Sequence, residues 1–305
     1  MQQQTLVRRL LRWAVRILTA LAAIVVLGGS AVYVVSERKL GRTYDTTVPV
    51  FTVPTDSASI ARGEHLTRNV ITCTLCHGQD LGGAVYSTDP VVGTVAGPNL
   101  TRGQGGVGSD YTAMDYARAI RRGVRRDGRS LMVMPSEVFT HLSQEDLGAV
   151  LAFLKQAPPV DRDVPKSGFG PVGRALLATG KMNILVAGKT PRLTPPESVP
   201  RDTTPAYGKY LADISGCHGC HGYGLSGGRV AGPPGLPPAS NLTPAGIGNW
   251  TEADLSRALR EGKRPDGTAL NEFMPWKVLR GMTDAEVHAI WLYLKSVPPK
   301  AFGNK

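Results

Sequence analysis

Two short stretches carry every cysteine in the chain, ITCTLCHGQD at 71–80 and SGCHGCHGYG at 215–224. Each holds a Cys-x-x-Cys-His pattern: Cys73, Cys76 and His77 in the first, Cys217, Cys220 and His221 in the second. Two thiols at this spacing can close a disulfide, hold a metal as thiolates, or add to the vinyl groups of a haem. Only the last uses the adjoining histidine, which becomes the proximal iron ligand. A zinc ribbon sets its two pairs about 15 to 20 residues apart, whereas here most of a domain lies between them. A thioredoxin-type pair needs a βαβ context that this sequence does not show. The chemistry indicated is covalent attachment of two haem c groups.

The likeness between the two stretches extends far beyond the motif. ARGEHLTRNVITCTLCHGQDLGG (61–83) matches AYGKYLADISGCHGCHGYGLSGG (206–228), with a glycine third in each, Gly63 and Gly208. Asn-Leu-Thr follows at Asn99 and Asn241, then DYARAIRRG (115–123) against DLSRALREG (254–262). An Asp-Gly pair comes next, at Asp127 and Asp266, then Met-Pro at Met134 and Met274, and finally LAFLKQAPP (151–159) against LYLKSVPP (292–299). The chain is a tandem duplication of one haem domain. A methionine thioether is a soft, neutral sixth ligand that raises the reduction potential relative to two imidazoles. Met134 and Met274 are the candidates for that role, with Met132 competing in the first copy but lacking the proline that follows the other two. His65, His141, His218 and His288 have no counterpart in the other copy and read as surface or packing residues.

Helices must position these groups. Thr112 with Asp115, Ser143 with Asp146, Thr251 with Asp254 and Thr283 with Glu286 have capping-box spacing. Leu147, Val150, Leu151 and Leu154 then recur at helical period, as do Val287, Ile290, Trp291 and Leu294, and Pro158-Pro159 and Pro298-Pro299 end those runs. Gly63 and Gly208 would let the final helix of each copy approach closely. Ahead of both copies, Arg8, Arg9, Arg12 and Arg16 precede an uncharged stretch from Ile17 to Val35, closed by Glu37, Arg38 and Lys39. Its length suits a spanning helix better than a signal peptide, for which Gly29-Ser30-Ala31 would be the cleavage site. The arginines favour a cytoplasmic N-terminus, with everything after Val35 exported. The organisation expected is an anchor at 1–40, a juxtamembrane linker at 41–56, a first domain at 57–160, a linker at 161–200 and a second domain at 201–305. Within the linker, Pro171 to Leu185 could be helical and PRLTPPESVP (191–200) extended.

The formal charge of +11 includes the four anchor arginines. What remains clusters at Arg118, Arg121, Arg122, Arg125, Arg126 and Arg129, and at Arg257, Arg260, Lys263 and Arg264. Either these form a solvated face, or they contact haem propionates and steer an acidic redox partner. Nucleic acid does not fit an exported haem protein. Gly188-Lys189-Thr190 imitates the end of a phosphate loop, but Asn183 stands where the first glycine is required.

A glycine-containing N-terminal helix leading to Cys-x-x-Cys-His, a methionine well downstream and a closing helix with an aromatic, Phe153 or Tyr293, resembles the class I c-type cytochromes. The resemblance covers about residues 57–160 and 201–300 and implies an all-α fold, an N-terminal transmembrane helix followed by two tandem cytochrome c domains. The Asn-Leu-Thr loop, Asp-Gly turn and Met-Pro segment are similar to those of the cytochrome subunits of bacterial membrane dehydrogenases for alcohols and gluconate. Those subunits typically carry three haem motifs, and this chain has two. The resemblance implies a dihaem carrier on the periplasmic face of the cytoplasmic membrane, and allows a subunit of a larger membrane complex. It would pass electrons from a quinol-oxidising complex or dehydrogenase to an oxidase, reaction centre or soluble cytochrome. The alternative is a dihaem enzyme. A peroxidase needs a haem position that opens, and thiosulfate dehydrogenases use a distal cysteine, of which none is spare.

Overall fold

The computed structural model describes residues 2–230 and 235–303, with side chains from residue 6 onward. Helix α1 (Gln2–Leu40) is long and apolar enough to cross a membrane, and none of its most apolar window is buried. The first copy folds as α2 (Ser57–His65), continued by one π-helical turn (Leu66–Val70), then α3 (Thr74–His77), strands β1 (Ala84–Asp89) and β2 (Gly93–Gly97), α4 (Ala113–Arg122), α5 (Ser136–Phe139) and α6 (Gln144–Gln156). Strand β3 (Gly168–Phe169) and helix α7 (Pro171–Ala178) follow. The second copy repeats the helical frame as α8 (Pro205–Ile214), α9 (Cys217–His221), α10 (Pro244–Ile247), α11 (Glu252–Glu261), α12 (Trp276–Leu279) and α13 (Asp284–Ser296). The helical class holds, with one addition: the three short strands form an antiparallel sheet of order β1-β2-β3 beside the first copy.

Helix starts follow the polar caps. Thr112, Thr251 and Thr283 each close a reciprocal capping box with the carboxylate three residues on. Ser143 accepts from the Asp146 N–H, but its own N–H donates to the Tyr210 hydroxyl at 3.1 Å, which in turn donates to Asp146 Oδ2 at 2.7 Å. This box is therefore closed through a side chain of the other copy. The next two N–H groups of α6, on Gln144 and Glu145, have no partner inside the helix, and they donate to the carbonyls of Pro196 and Glu197 in the extended linker. The helix expected over Pro171 to Leu185 stops at Ala178, where Gly180 turns the chain in a left-handed conformation. Beyond it Ile184 and Val186 pair instead with Val133 and Leu131.

Each copy is organised by one helix crossing. A Cβ added to Gly63 would lie 1.9 Å from the Ala149 carbonyl oxygen on α6, and one added to Gly208 would lie 1.9 Å from that of Ala289 on α13. Only hydrogen at these positions permits backbone-to-backbone contact. The buried apolar core runs unbroken from one copy into the other, from Leu66, Leu147 and Leu151 to Leu211, Ile214 and Ile290. A buried polar cluster seals the junction. Arg62 on α2 pairs with Asp146 of its own copy and with Glu286 of the other, both at 3.1 Å, and donates to the Tyr207 hydroxyl. His65 Nε2 lies 2.8 Å from Glu286 Oε2, while Tyr210 binds Asp146. His65 and Tyr210 are matched positions, each two residues after the crossing glycine, and Asp146 and Glu286 are matched third residues of the closing helices. The two copies thus exchange equivalent contacts about an approximate two-fold axis.

Two outcomes are expected. Gly63→Ala or Gly208→Ala must part a backbone contact that no rotamer can relieve, and should cost about 1–3 kcal/mol, seen as a lower unfolding temperature by circular dichroism. An unchanged melting curve would contradict the close crossing. The second concerns acid. Burial pushes Glu286 up, but the bond from His65, the Thr283 N–H and the Arg62 charge outweigh it and hold the carboxyl below its ordinary 4.5. Its contribution is complete above that value and is lost as pH falls through the depressed folded value. Calorimetry across the acid range should show a shallower loss of stability for Glu286→Gln than for the native chain. Equal slopes would remove Glu286 from the acid response.

Candidate haem crevices

In the second copy Cys217, Cys220, His221 and Met274 line one mostly apolar cavity together with Trp250 and Arg264. The two cysteines come from the short helix α9, the methionine from the turn before α12. In the first copy Cys73 and Met134 pack half-buried against the core beside Tyr111. Cys76 and His77 follow on α3, and β2 closes against them: a Cβ on Gly97 would lie 2.0 Å from the Cys76 carbonyl oxygen. None of the four cysteines forms a disulfide. Burial pushes the Cys73 and Cys217 thiols up to about 12, so they remain protonated at neutral pH and make poor thiolate ligands. Among the described residues there is no cluster of His, Cys, Asp and Glu that would hold a metal ion directly.

The histidine rings are oriented by backbone. His77 Nδ1 lies 2.9 Å from the Pro98 carbonyl oxygen, and His221 Nδ1 lies 2.7 Å from that of Ser240. A carbonyl can only accept, so Nδ1 carries the proton in both rings and the lone pair that could bind a metal is that of Nε2. The residue after each accepting carbonyl is the repeated asparagine. Asn99 Oδ1 accepts from the Thr101 N–H and hydroxyl, and its Nδ2 donates to the Val160 carbonyl at 2.6 Å. Asn241 does the same with Thr243 and with Lys300 at 2.8 Å. The Asn-Leu-Thr repeat is thus a side-chain-locked turn that ties the histidine's acceptor to the segment leaving the closing helix.

Met134 and Met274 occupy the same turn. Their carbonyls accept from Ser136 and Trp276 at 2.8 Å, and the following proline carbonyls accept from Val138 and Val278. Met132 is held differently, in a bridge to Leu185 of the linker. Arg125, the counterpart of Arg264, has a buried Nε that pairs with Asp127 only at 3.8 Å and makes no hydrogen bond, the kind of donor a carboxylate substituent of a haem would satisfy. The residues present therefore fit covalent haem: two thiols, a histidine of fixed tautomer, a methionine lining the same cavity and a half-buried arginine.

Several residues have roles the sequence reading did not assign. Trp250 lines the second crevice, and Tyr111 holds the matched place in the first, packed edge-on to Tyr116 at 5.3 Å. Both stand immediately before a capping-box threonine, a signal available in the sequence. His65, read there as a surface or packing residue, bonds across the junction of the copies. His218 pairs with Asp213 and stacks on Tyr223, and His288 pairs with Glu252. The arginines of the first copy mostly serve its own backbone. Arg118 and Arg122 donate to the carbonyls of Thr46 and Thr47, Arg126 to that of Asp110, and Arg121 is fully buried against the Thr140 and Ser143 carbonyls.

A helical frame that brings two thiols, a backbone-oriented histidine and a methionine to one apolar crevice in the second copy, with the same residue types on the matched elements of the first, is that of a covalent haem protein. Residues 60–158 and 205–298 match the cytochrome c family, and the chain belongs to it. Covalently bound haem c is the cofactor that membership implies. The chain is 30% identical to the fructose dehydrogenase cytochrome subunit of Gluconobacter japonicus, over 80% of this chain and 53% of that protein. It is 30% identical to the cytochrome c subunit of the quinone alcohol dehydrogenase of Gluconobacter oxydans, over 80% of this chain and 55% of the relative. A diheme c-type cytochrome of Cereibacter sphaeroides is 29% identical, over 71% of this chain and 75% of its own length. The chain spans about half the length of the dehydrogenase subunits it matches.

Removing the turn lock should be felt at the crevice. Asn241→Ala leaves the Thr243 N–H unpaired and removes the main donor to the Lys300 carbonyl, at a cost of about 1–3 kcal/mol, and frees the carbonyl that orients His221. Thermal unfolding followed at the Soret band should report the loss, with Asn99→Ala giving a parallel one. Native stability in both variants would show that the histidines are oriented by other means.

Proposed function

We propose that this chain is a membrane-anchored dihaem electron carrier, with haem domains over 57–160 and 201–305 exported to the periplasmic side of a bacterial cytoplasmic membrane. Bound haem c supplies one-electron chemistry at its iron. Cys73 and Cys76, and Cys217 and Cys220, hold the two groups through thioethers. His77 and His221 present Nε2 as proximal ligands, and Met134 and Met274 supply distal thioethers. The observation that carries this reading is the convergence of Cys217, Cys220, His221 and Met274 on one apolar wall, with matched sequence and turn geometry in the first copy. Held by a histidine and a methionine each, the two groups would offer no position to water or substrate, which suits transfer over turnover. Arg125 and Arg264 hold the polar edge.

The named relatives support a place as the cytochrome subunit of a dehydrogenase complex; on this reading the chain takes electrons from the dehydrogenase and delivers them to an oxidase, reaction centre or soluble cytochrome. Much of the first copy's arginine cluster is bonded to its own backbone, so steering of an acidic partner would come from the overall positive charge and should weaken as salt rises.

The ligand assignment has a direct test. Met134→Ala and Met274→Ala should each abolish the methionine-to-iron charge-transfer band of one haem and lower its potential, while Met132→Ala leaves both bands. Loss of a band in Met132→Ala with an intact band in Met134→Ala would overturn the choice in the first copy. Substantial turnover of peroxide or thiosulfate by the native chain would move it from carrier to enzyme.

A further inference from the structure

The exported end of α1 is clamped to α7. Arg174 Nη1 donates to Ser36 Oγ at 3.0 Å and to Glu37 Oε1 at 2.7 Å, and its guanidinium lies over the Tyr33 ring at 4.8 Å. Further on, Lys39 Nζ donates to the carbonyls of Leu177 and Ala178 that end α7. Contacts advance in the same order along both helices, so they run side by side in the same direction. The N-terminus of α7 therefore points back toward the apolar stretch of α1. At 1.5 Å per residue Ile17 to Val35 spans about 28 Å, close to the hydrocarbon thickness of a bilayer. Val172, two residues before Arg174, then stands at the level of the last apolar turn. Burial within α1 agrees: Ser36 is fully buried and Val32, one turn deeper on the same face, is half-buried, while Tyr33, Val34 and Val35 are exposed.

The turn between β1 and β2 is locked to the same place. Gly170 N–H donates to the Val92 carbonyl and Val172 N–H to that of Val91. A Cβ on Gly173 would lie 1.9 Å from the Val92 oxygen. Asp89 spends its carboxylate inside the turn, accepting from the Val91 and Val92 N–H groups. What the turn presents outward is apolar: Val91 is 50% exposed and Val172 is 44% exposed.

We propose that the β1–β2 turn and the N-terminus of α7 form an apolar foot that enters the lipid interface beside the anchor, so that the first haem domain is held on the bilayer in one orientation. Tyr33 is the interfacial aromatic of this contact, and Arg38 and Lys39 mark its headgroup side. The inference rests on α1 being retained as an anchor, and it explains why the sheet belongs to the first copy, which adjoins α1. Val91, Val92 and Val172 are the residues lipid would cover.

Because all four native cysteines are consumed by haem attachment, single cysteines can be labelled in the full chain. Val91→Cys, Val172→Cys and, as a reference, Val50→Cys would each carry a nitroxide in phosphatidylcholine vesicles. Val50 is 91% exposed and lies ten residues beyond the end of α1, in a segment whose Phe51 and Val53 pack on the core. Collision with oxygen, which concentrates in lipid, is compared with collision with a water-soluble nickel chelate. Unchanged haem absorbance confirms that each variant folds. The labels at 91 and 172 should favour oxygen severalfold over the label at 50. If all three behave alike in protein that survives an alkaline carbonate wash, the foot is wrong and the anchor stands. Release of the protein by that wash would overturn the anchor, and the foot with it.

Discussion

Backbone contact between two helices, repeated once in each copy, is the constraint on which this molecule is built. Where α2 meets α6 and α8 meets α13, the absence of a side chain at Gly63 and Gly208 brings carbonyl and Cα into direct contact. That fixes the crossing within a few tenths of an ångström, because backbone cannot change rotamer. On one side of the crossing Ile290 and Leu294 of α13 form the wall of the haem crevice. On the other, residues two positions beyond each glycine reach the opposite copy. Site and junction are therefore set by the same four helices.

The junction buries charge, and charge is costly to bury without partners. Here the cost is offset by completeness: Asp146 accepts from Arg62 and Tyr210 while its N–H donates to Ser143 Oγ, and Glu286 accepts from Arg62, His65 and the Thr283 N–H. Such a network adds little net stability compared with apolar packing of the same volume, but it admits one geometry. The packed neighbours of the network are the haem-bearing segments themselves. Asn69, just before the first motif, abuts Gly281 beyond α12, and Gly216, just before the second, abuts Val138 on α5. Each attachment segment thus leans on the methionine-bearing side of the other copy, and the two crevices belong to one rigid unit.

Much of this was legible in the residues because the signals are local. Capping boxes at Thr112, Thr251 and Thr283, prolines after the closing helices and the recurrent glycine each report on their own few residues. The repeat supplied what a single copy could not, since matched Met-Pro turns single out Met134 and Met274. What escaped reading depends on contacts distant in sequence. Tyr210 completes the Ser143 box from another domain, and His65, without a counterpart histidine, binds Glu286 more than two hundred residues away. The arginine cluster stayed open between a solvated face and a propionate or partner contact, because charge alone does not reveal that the Thr46 and Thr47 carbonyls lie within reach. The linker helix stops at Ala178, short of the expected Leu185, because the chain turns at Gly180 and the apolar residues beyond pair with the segment around Met132.

The central claim is that one chain holds two covalent, methionine-ligated haems that carry electrons. It is tested most directly by the haem-to-protein ratio of the purified full chain, measured together with a redox titration of its absorption spectrum. The account predicts two haems per chain, both low-spin, both retaining the methionine-to-iron band when oxidised, and both titrating reversibly by one electron. A single haem per chain, or a high-spin centre that binds added ligand, would contradict it.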